Sequence, residues 1–566
     1  MIRIKEMVFT LSLIVFSFTS FAQGTSSKTE LVKGWHQLDK EKDGVYGISL
    51  EKAYNFLQLK NLKSKQVLVA VIDSGVDTLQ EDLVHILWTN PGEIPGNGID
   101  DDHNGYVDDV HGWNFIGGKD GRNVKDDSQE EGRVYYRYKN QFDNKKILMD
   151  TMSAESRDHY NMWVKSKKKI MGDGNDEGVD LYMMKRVVNA CIKSDSILQR
   201  SMGKKEYTGH ELESFEPKDM ESRTAKSVLL YLFQDFHIMD MTNTAFISDF
   251  SEQADHEEKK MEIKEKAPKN YRGDIVQDDE NDIRDSTYGN NDINATDPMH
   301  GTHVSGIIGA ERNNNIGVNG IADNVRIMMI RAVPNGDEHD KDIAVAIRYA
   351  VDNGARVVNM SFGKNLSPQK TWVDDAVKYA ESKNVLLIHA AGNESANIDT
   401  TDNFPNPNFK NSRQAAKNWI TVGASSDPLA EEGSKSYTAY FSNYGKKEVD
   451  VFAPGTRIYS TLPGGNKYGN LDGTSMAAPV VTGVAALIME YFPTLSAAEV
   501  KYCIEKTAYM PAAKTKKPGT EDEMVPLSEL GAGGLLNAYG AVKMASVISE
   551  SKKNDILKST LQKEKN

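Results

Sequence analysis

Residues 66–72 read QVLVAVI, almost wholly apolar and largely β-branched, and the run stops at Asp73-Ser74-Gly75. A run with no polar face and a turn at its end predicts a strand buried on both sides. The pattern recurs at residues 325–330, 356–360, 385–391 and 419–424. Helical spacing separates these runs. In residues 340–353, Ile343, Ile347, Ala350 and Val351 share one face, and Gly354 follows as a stop. Strands alternating with helices predict right-handed crossovers and a mainly parallel sheet covered on both faces, an α/β fold of three layers. In such sheets functional groups gather beyond the carboxyl ends of the strands, and Asp73 stands at one.

The rhythm breaks between residues 117 and 296. This stretch is rich in Lys, Glu and Asp, and its apolar positions, such as Val228, Leu229, Leu232 and Phe233, have helical spacing. It reads as an inserted, charged, mostly helical subdomain, dividing a domain made of residues 23–116 and 297–546. Residues 547–566 read as a polar, Lys-rich tail. At the other end, Arg3 and Lys5 precede an apolar run over residues 7–21, and Ser20 and Ala22 are small residues at the spacing of a cleavage site. Residues 1–22 are therefore expected to be a signal peptide, with export to the periplasm or the exterior. No other stretch reaches transmembrane length, so no integral membrane segment is expected once that peptide is removed.

Composition narrows the partners. Across 566 residues the formal net charge is −14, which argues against binding nucleic acid. The chain is 39% hydrophobic and 27% charged, ordinary for globular protein. Two cysteines, Cys191 and Cys503, make no disulfide framework. A metal is the better candidate for tightening an exported chain.

Three segments set reactive side chains among small residues: Ile72-Asp73-Ser74-Gly75, His300-Gly301-Thr302-His303, and Gly473-Thr474-Ser475-Met476-Ala477-Ala478-Pro479. Pro479 suits only the first turn of a helix, which places Ser475 at a helix N-terminus. A serine attacks well only when an imidazole takes its proton and a carboxylate steadies that imidazole. The oxyanion that forms needs fixed N–H donors, and Asn393, in Ala390-Ala391-Gly392-Asn393 after a buried strand, is a candidate beside the Ser475 amide.

These segments, in the order Asp, His, Ser, resemble those of the subtilases, the subtilisin-like serine peptidases. The resemblance implies a subtilisin-like fold and a serine endopeptidase acting on proteins or peptides through an acyl-enzyme. It implies Asp73 as orienting carboxylate, His300 as general base, Ser475 as nucleophile and Asn393 as oxyanion-hole amide, leaving His303 structural. Ser361-Phe362-Gly363 resembles the edge that pairs with extended substrate. Two features depart from the family. Asp73 and His300 are separated by the insertion, and only about fifty residues separate Ala22 from Asp73, too few for a folded prodomain. The insertion is expected to border the cleft, limiting access or aiding folding. The rival functions are an inactive binding module on the same fold and a transpeptidase or cyclase using the same triad.

Residues 98–109 form a second constellation. Oxygen-bearing side chains at Asp100, Asp102 and Asn104, Gly105 for the turn and the Tyr106 carbonyl follow the pattern of a wrapped calcium loop, with Asp108 or Asp109 closing it. His111 stands where an EF-hand has its glutamate, so the expectation is a structural calcium loop of another kind. Asp82 with the turn over residues 313–318 resembles the family's tight structural calcium site.

Overall fold

The computed structural model describes residues 32–563 apart from 173–180, 237, 240–241, 429–435 and 521. The expected signal peptide, residues 1–22, lies outside the described residues. The described chain forms two compact units, one of Glu131–Pro268 and one of Leu31–Glu130 with Lys269–Asn566.

The larger unit is built on one sheet. Its strands are β1 (Val67–Asp73), β2 (Gly112–Asn114), β3 (Val325–Arg331), β4 (Val357–Met360), β5 (Leu386–Ala390), β6 (Trp419–Ser425) and β7 (Val451–Pro454). They lie in the order β2-β3-β1-β4-β5-β6-β7, every neighbouring pair parallel. β1 shows why a run without a polar face is needed. Val67, Val69 and Val71 enter one hydrophobic core while Ala70 and Ile72 enter the other.

Helices α1 (Met299–Gly309) and α4 (Thr474–Tyr491) fill the first core. Helices α2 (Asp340–Asp352) and α3 (Lys370–Ser382) fill the second. The chain builds outward from β1 to β3, then returns to the other side of β1 with β4. That reversal is the switch point of a doubly wound sheet, and Asp73 ends the strand at its centre.

The remaining helices of interest are α5 (Ala497–Thr507) and α6 (Ala538–Lys563). α6 runs on through residue 547, with Ser549 buried and Glu550 paired with Lys60. One described helix, α4, is long and apolar enough to cross a membrane, but nearly all of it is buried as the core helix of this unit.

The smaller unit is helical. On Met220–Asp235 the buried face is Ala225, Leu229, Leu232 and Phe233, joined by Phe246 and Phe250 from Asn243–Glu265. Residues 117–130 and 269–296, which by composition read as part of the insertion, belong to the larger unit.

Candidate active site

β1 delivers Asp73, which is 2% exposed. Its Oδ1 accepts the Ser74 backbone N–H at 2.7 Å and His300 Nδ1 at 2.8 Å. Donation from Nδ1 selects the tautomer whose Nε2 carries the basic lone pair. The approach depends on Gly301: a Cβ there would stand 2.1 Å from the Gly75 carbonyl oxygen and 3.2 Å from the Asp73 Cβ. Only a glycine lets the start of α1 settle against the turn after β1.

A residue without a motif holds that turn. Arg331, at the end of β3, donates Nε–H to the Ser74 carbonyl at 2.9 Å. Its other donors go to Asn114 Oδ1, the Val124 carbonyl and Thr296 Oγ1, none of them a carboxylate. Burial pushes its guanidinium down to about 10, so it remains charged near neutrality. The sequence alone gives Arg331 no role, because a lone arginine ending a strand carries no local signal.

Ser475 is the second residue of α4. Its hydroxyl donates to the Ser361 carbonyl at 3.1 Å, while the Ser361 hydroxyl donates to the Ser475 carbonyl at 2.9 Å. Behind this reciprocal pair, Asn359 Nδ2 donates to Ser361 Oγ and Thr482 Oγ1 donates to Asn359 Oδ1, each at 2.9 Å. The backbone of Ser475 is thus tied to the end of β4 through a fully buried polar chain.

Asn393 is oriented by Thr474. Its Oδ1 accepts both the Thr474 N–H and the Thr474 hydroxyl at 2.9 Å, and Thr474 Oγ1 in turn accepts the Gly392 N–H at 3.1 Å. With the oxygen held, Nδ2 faces the other way. Nδ2 and the Ser475 amide nitrogen lie 3.6 and 3.5 Å from the point where a Gly473 Cβ would stand. Two donors therefore border one small space beside the serine. The serine motif contains Thr474 without marking it, because a threonine opening a helix is common.

The other histidines near the site are structural by burial. His303, on the buried face of α1, has Nε2 donating to the Gly469 carbonyl at 3.2 Å, and burial pulls it down to about 3. His389, on β5, donates Nε2–H to the Phe362 carbonyl at 2.7 Å, and burial pulls it down to about 4. Both are neutral in the working range.

The loop over residues 93–109 is closed by its own hydrogen bonds. Asp100 accepts the Asn104 and Gly105 amides, and Asp102 accepts the Asn104 amide and Asn90 Nδ2. The carboxylates of Glu93, Asp100 and Asp102 have oxygens within 4.8 Å of one another. Glu93 lies upstream of the motif, where the spacing of the loop does not point. Both Asp108 oxygens accept backbone amides, from Gly96, Asn97 and Gly98. Asp109 accepts Asn90, Asn104 and the Tyr349 hydroxyl, and burial pushes it up to about 6. The Tyr106 amide donates to Asn104 Oδ1, and its ring packs on Trp113 and Tyr349. Elsewhere Asp82 meets the turn after α1, accepting Asn314 Nδ2 at 2.6 Å and the Val318 amide at 2.9 Å.

A doubly wound parallel sheet with an Asp–His pair at its switch point and a serine opening the central helix defines a serine-hydrolase architecture. A model of the subtilase family matches residues 64–542, and the chain belongs to that family. It is 42% identical over 222 residues to the thermophilic serine proteinase of Bacillus sp. (strain AK1), covering 38% of this chain and 49% of that protein. It is 37% identical over 211 residues to subtilisin DY of Bacillus licheniformis, covering 37% and 70%. Thermitase of Thermoactinomyces vulgaris is 36% identical over 245 residues, covering 43% and 75%. The chain thus spans about half the length of the first relative and a larger share of the other two.

Proposed function

We propose that this protein is an exported serine endopeptidase that hydrolyses peptide bonds in proteins. The observation that carries the reading is the 2.8 Å contact between Asp73 and His300, at the sheet end where Ser475 opens α4. Asp73 holds Nδ1, so Nε2 of His300 is the atom that takes the serine proton. The Ser475 hydroxyl, which here donates to Ser361, turns about χ1 to give that proton to Nε2 and attacks the substrate carbonyl.

Charge then develops on the carbonyl oxygen, where Asn393 Nδ2 and the Ser475 N–H supply donors. The protonated imidazole returns its proton to the leaving amine, and water repeats the sequence on the acyl-enzyme. The backbone of Ser361, Phe362 and Gly363 serves as the edge for an extended substrate strand.

The family commonly carries structural calcium. In this chain Glu93, Asp100 and Asp102 offer hard oxygen donors of the kind calcium takes, with Asn104 beside them and Asp82 with its turn as a second position. Calcium there has no part in the chemistry. The basic-then-apolar start of the chain supports export.

The test is covalent labelling of purified protein with a fluorophosphonate probe. Labelling of wild type but not of Ser475→Ala is expected. A folded wild type that resists the probe and leaves denatured protein substrates intact overturns the reading.

A further inference from the structure

β4 leads into a short segment whose backbone alternates in direction. The Ser361 carbonyl faces Ser475, the Phe362 carbonyl faces inward to His389, and Lys364 exchanges backbone hydrogen bonds with Phe404, 2.9 Å in each direction. Successive carbonyls of an extended chain point to opposite sides. Ser361 and Gly363 therefore share the side on which the nucleophile stands, and Phe362 and Lys364 fasten the segment from the other.

The fastening ends in a buried ion cluster. The Lys364 side chain is 1% exposed, and Nζ lies 2.8 Å from Glu130 Oε2, 2.9 Å from Asp340 Oδ1 and 2.7 Å from the Glu338 carbonyl. These three acceptors match the three donors of an ammonium. Asp340 is itself fixed by the Ser367 hydroxyl and the Gln369 amide, and the Glu130 amide donates to Asp337. A dry cluster of this kind stabilises no better than well-packed apolar side chains of the same volume, but losing one member leaves its partners charged and unpaired. What it does supply is a fixed position for the residue that follows Gly363. Nothing in the proposed chemistry uses Lys364, Glu130 or Asp340.

We infer that Lys364 is a positioning residue for substrate recognition: through Glu130 and Asp340 it fixes the edge at Ser361–Gly363 against which extended polypeptide pairs. It sets KM and the side-chain preference at the cleaved bond, and leaves the reactivity of Ser475 alone. The inference rests on the peptidase reading.

The experiment uses full-length protein carrying Lys364→Met, Glu130→Gln or both, assayed on a peptide series varied at the residue before the cleaved bond. Fluorophosphonate labelling of Ser475 is measured in parallel. Each single variant is expected to raise KM at least about tenfold for some side chains and to reorder the preference, with kcat and labelling rate within about twofold. The double variant is expected to lose less than the product of the singles, as coupled groups do. Folded variants with unchanged preference, or a loss confined to kcat, overturn the inference. If Lys364→Met does not fold, Glu130→Gln, which keeps the side-chain shape, decides alone. Failure of wild type to label sinks the peptidase reading instead, so the two failures are distinct.

Discussion

Asn393 and Thr474 act as a pair, and substitutions separate their parts. Asn393→Ala removes the Nδ2 donor, and kcat is expected to fall by about a hundred- to a thousand-fold, the size of the equivalent loss in subtilisin. KM should hardly move, because the donor meets charge that exists only in the transition state. Thr474→Val keeps the backbone N–H on Asn393 Oδ1 but removes the hydroxyl that bridges Asn393 and Gly392. A smaller kcat loss, about tenfold, is expected from an amide that is still present but less firmly aimed. Steady-state kinetics on one peptide checks both, and a Thr474→Val loss equal to that of Asn393→Ala would show that Thr474 does more than orient. His300→Ala is expected to cost about a million-fold in kcat, again the subtilisin magnitude.

At the scale of elements, α1 and the hairpin of β8 (Ile458–Leu462) and β9 (Lys467–Leu471) meet through Gly306. A Cβ there would stand 2.2 Å from Thr461 Oγ1 and 2.4 Å from Ser460 Oγ. Those hydroxyls donate to the Thr302 and His303 carbonyls of α1. Helix propensity favours alanine by up to about 1 kcal/mol, whereas overpacking a core costs about 1–3 kcal/mol. Gly306→Ala is therefore expected to lower the thermal midpoint, and a rise would show that the hairpin yields. The loop over residues 93–109 has its own test: a calcium chelator should lower the midpoint of wild type and lower that of Glu93→Gln less, read by calorimetry.

The same elements show what could be read beforehand. β1, β3, β4, β5 and β6 are apolar runs ending near a turn, and their pattern suffices. β2 is only Gly-Trp-Asn, β7 ends in proline, and β9 is Lys-Tyr-Gly-Asn-Leu with no buried residue, so none has a period to detect. The motif residues of the site are legible because reactive groups stand among small ones. Arg331 and Lys364 are not, because each acts through partners far away in sequence, and Glu93 is not, because it joins the loop from ahead of the motif whose spacing marks it.

For the whole molecule, acid sensitivity follows from groups that fold uncharged. Burial lowers His389 from 6.5 to about 4, His36 to about 4 and His303 to about 3. Well above pH 6.5, the value of the unfolded ring, these rings are neutral in both states, and their contribution to stability is constant. As pH falls from there toward 4, the unfolded chain takes up protons that the folded one refuses, so stability declines. The limit is about 1.4 kcal/mol per pH unit for each group. Glu338 and Glu505 act in the opposite sense: burial raises each from 4.5 to about 7, and over that window they favour the folded state as pH falls. The total slope is a difference, so a differential measurement is required. Ser475→Ala serves as background, to prevent self-cleavage, and His389→Gln keeps a donor for the Phe362 carbonyl while removing the titration. Urea unfolding of the two proteins should give stabilities that run parallel above about pH 7. Below about pH 6 the His389 protein should lose ground to the variant by up to about 1.4 kcal/mol per unit until about pH 4. Parallel curves down to about pH 4.5 would mean that His389 takes up its proton as easily folded as unfolded, and that the recognition segment is not sealed from water on its inner side.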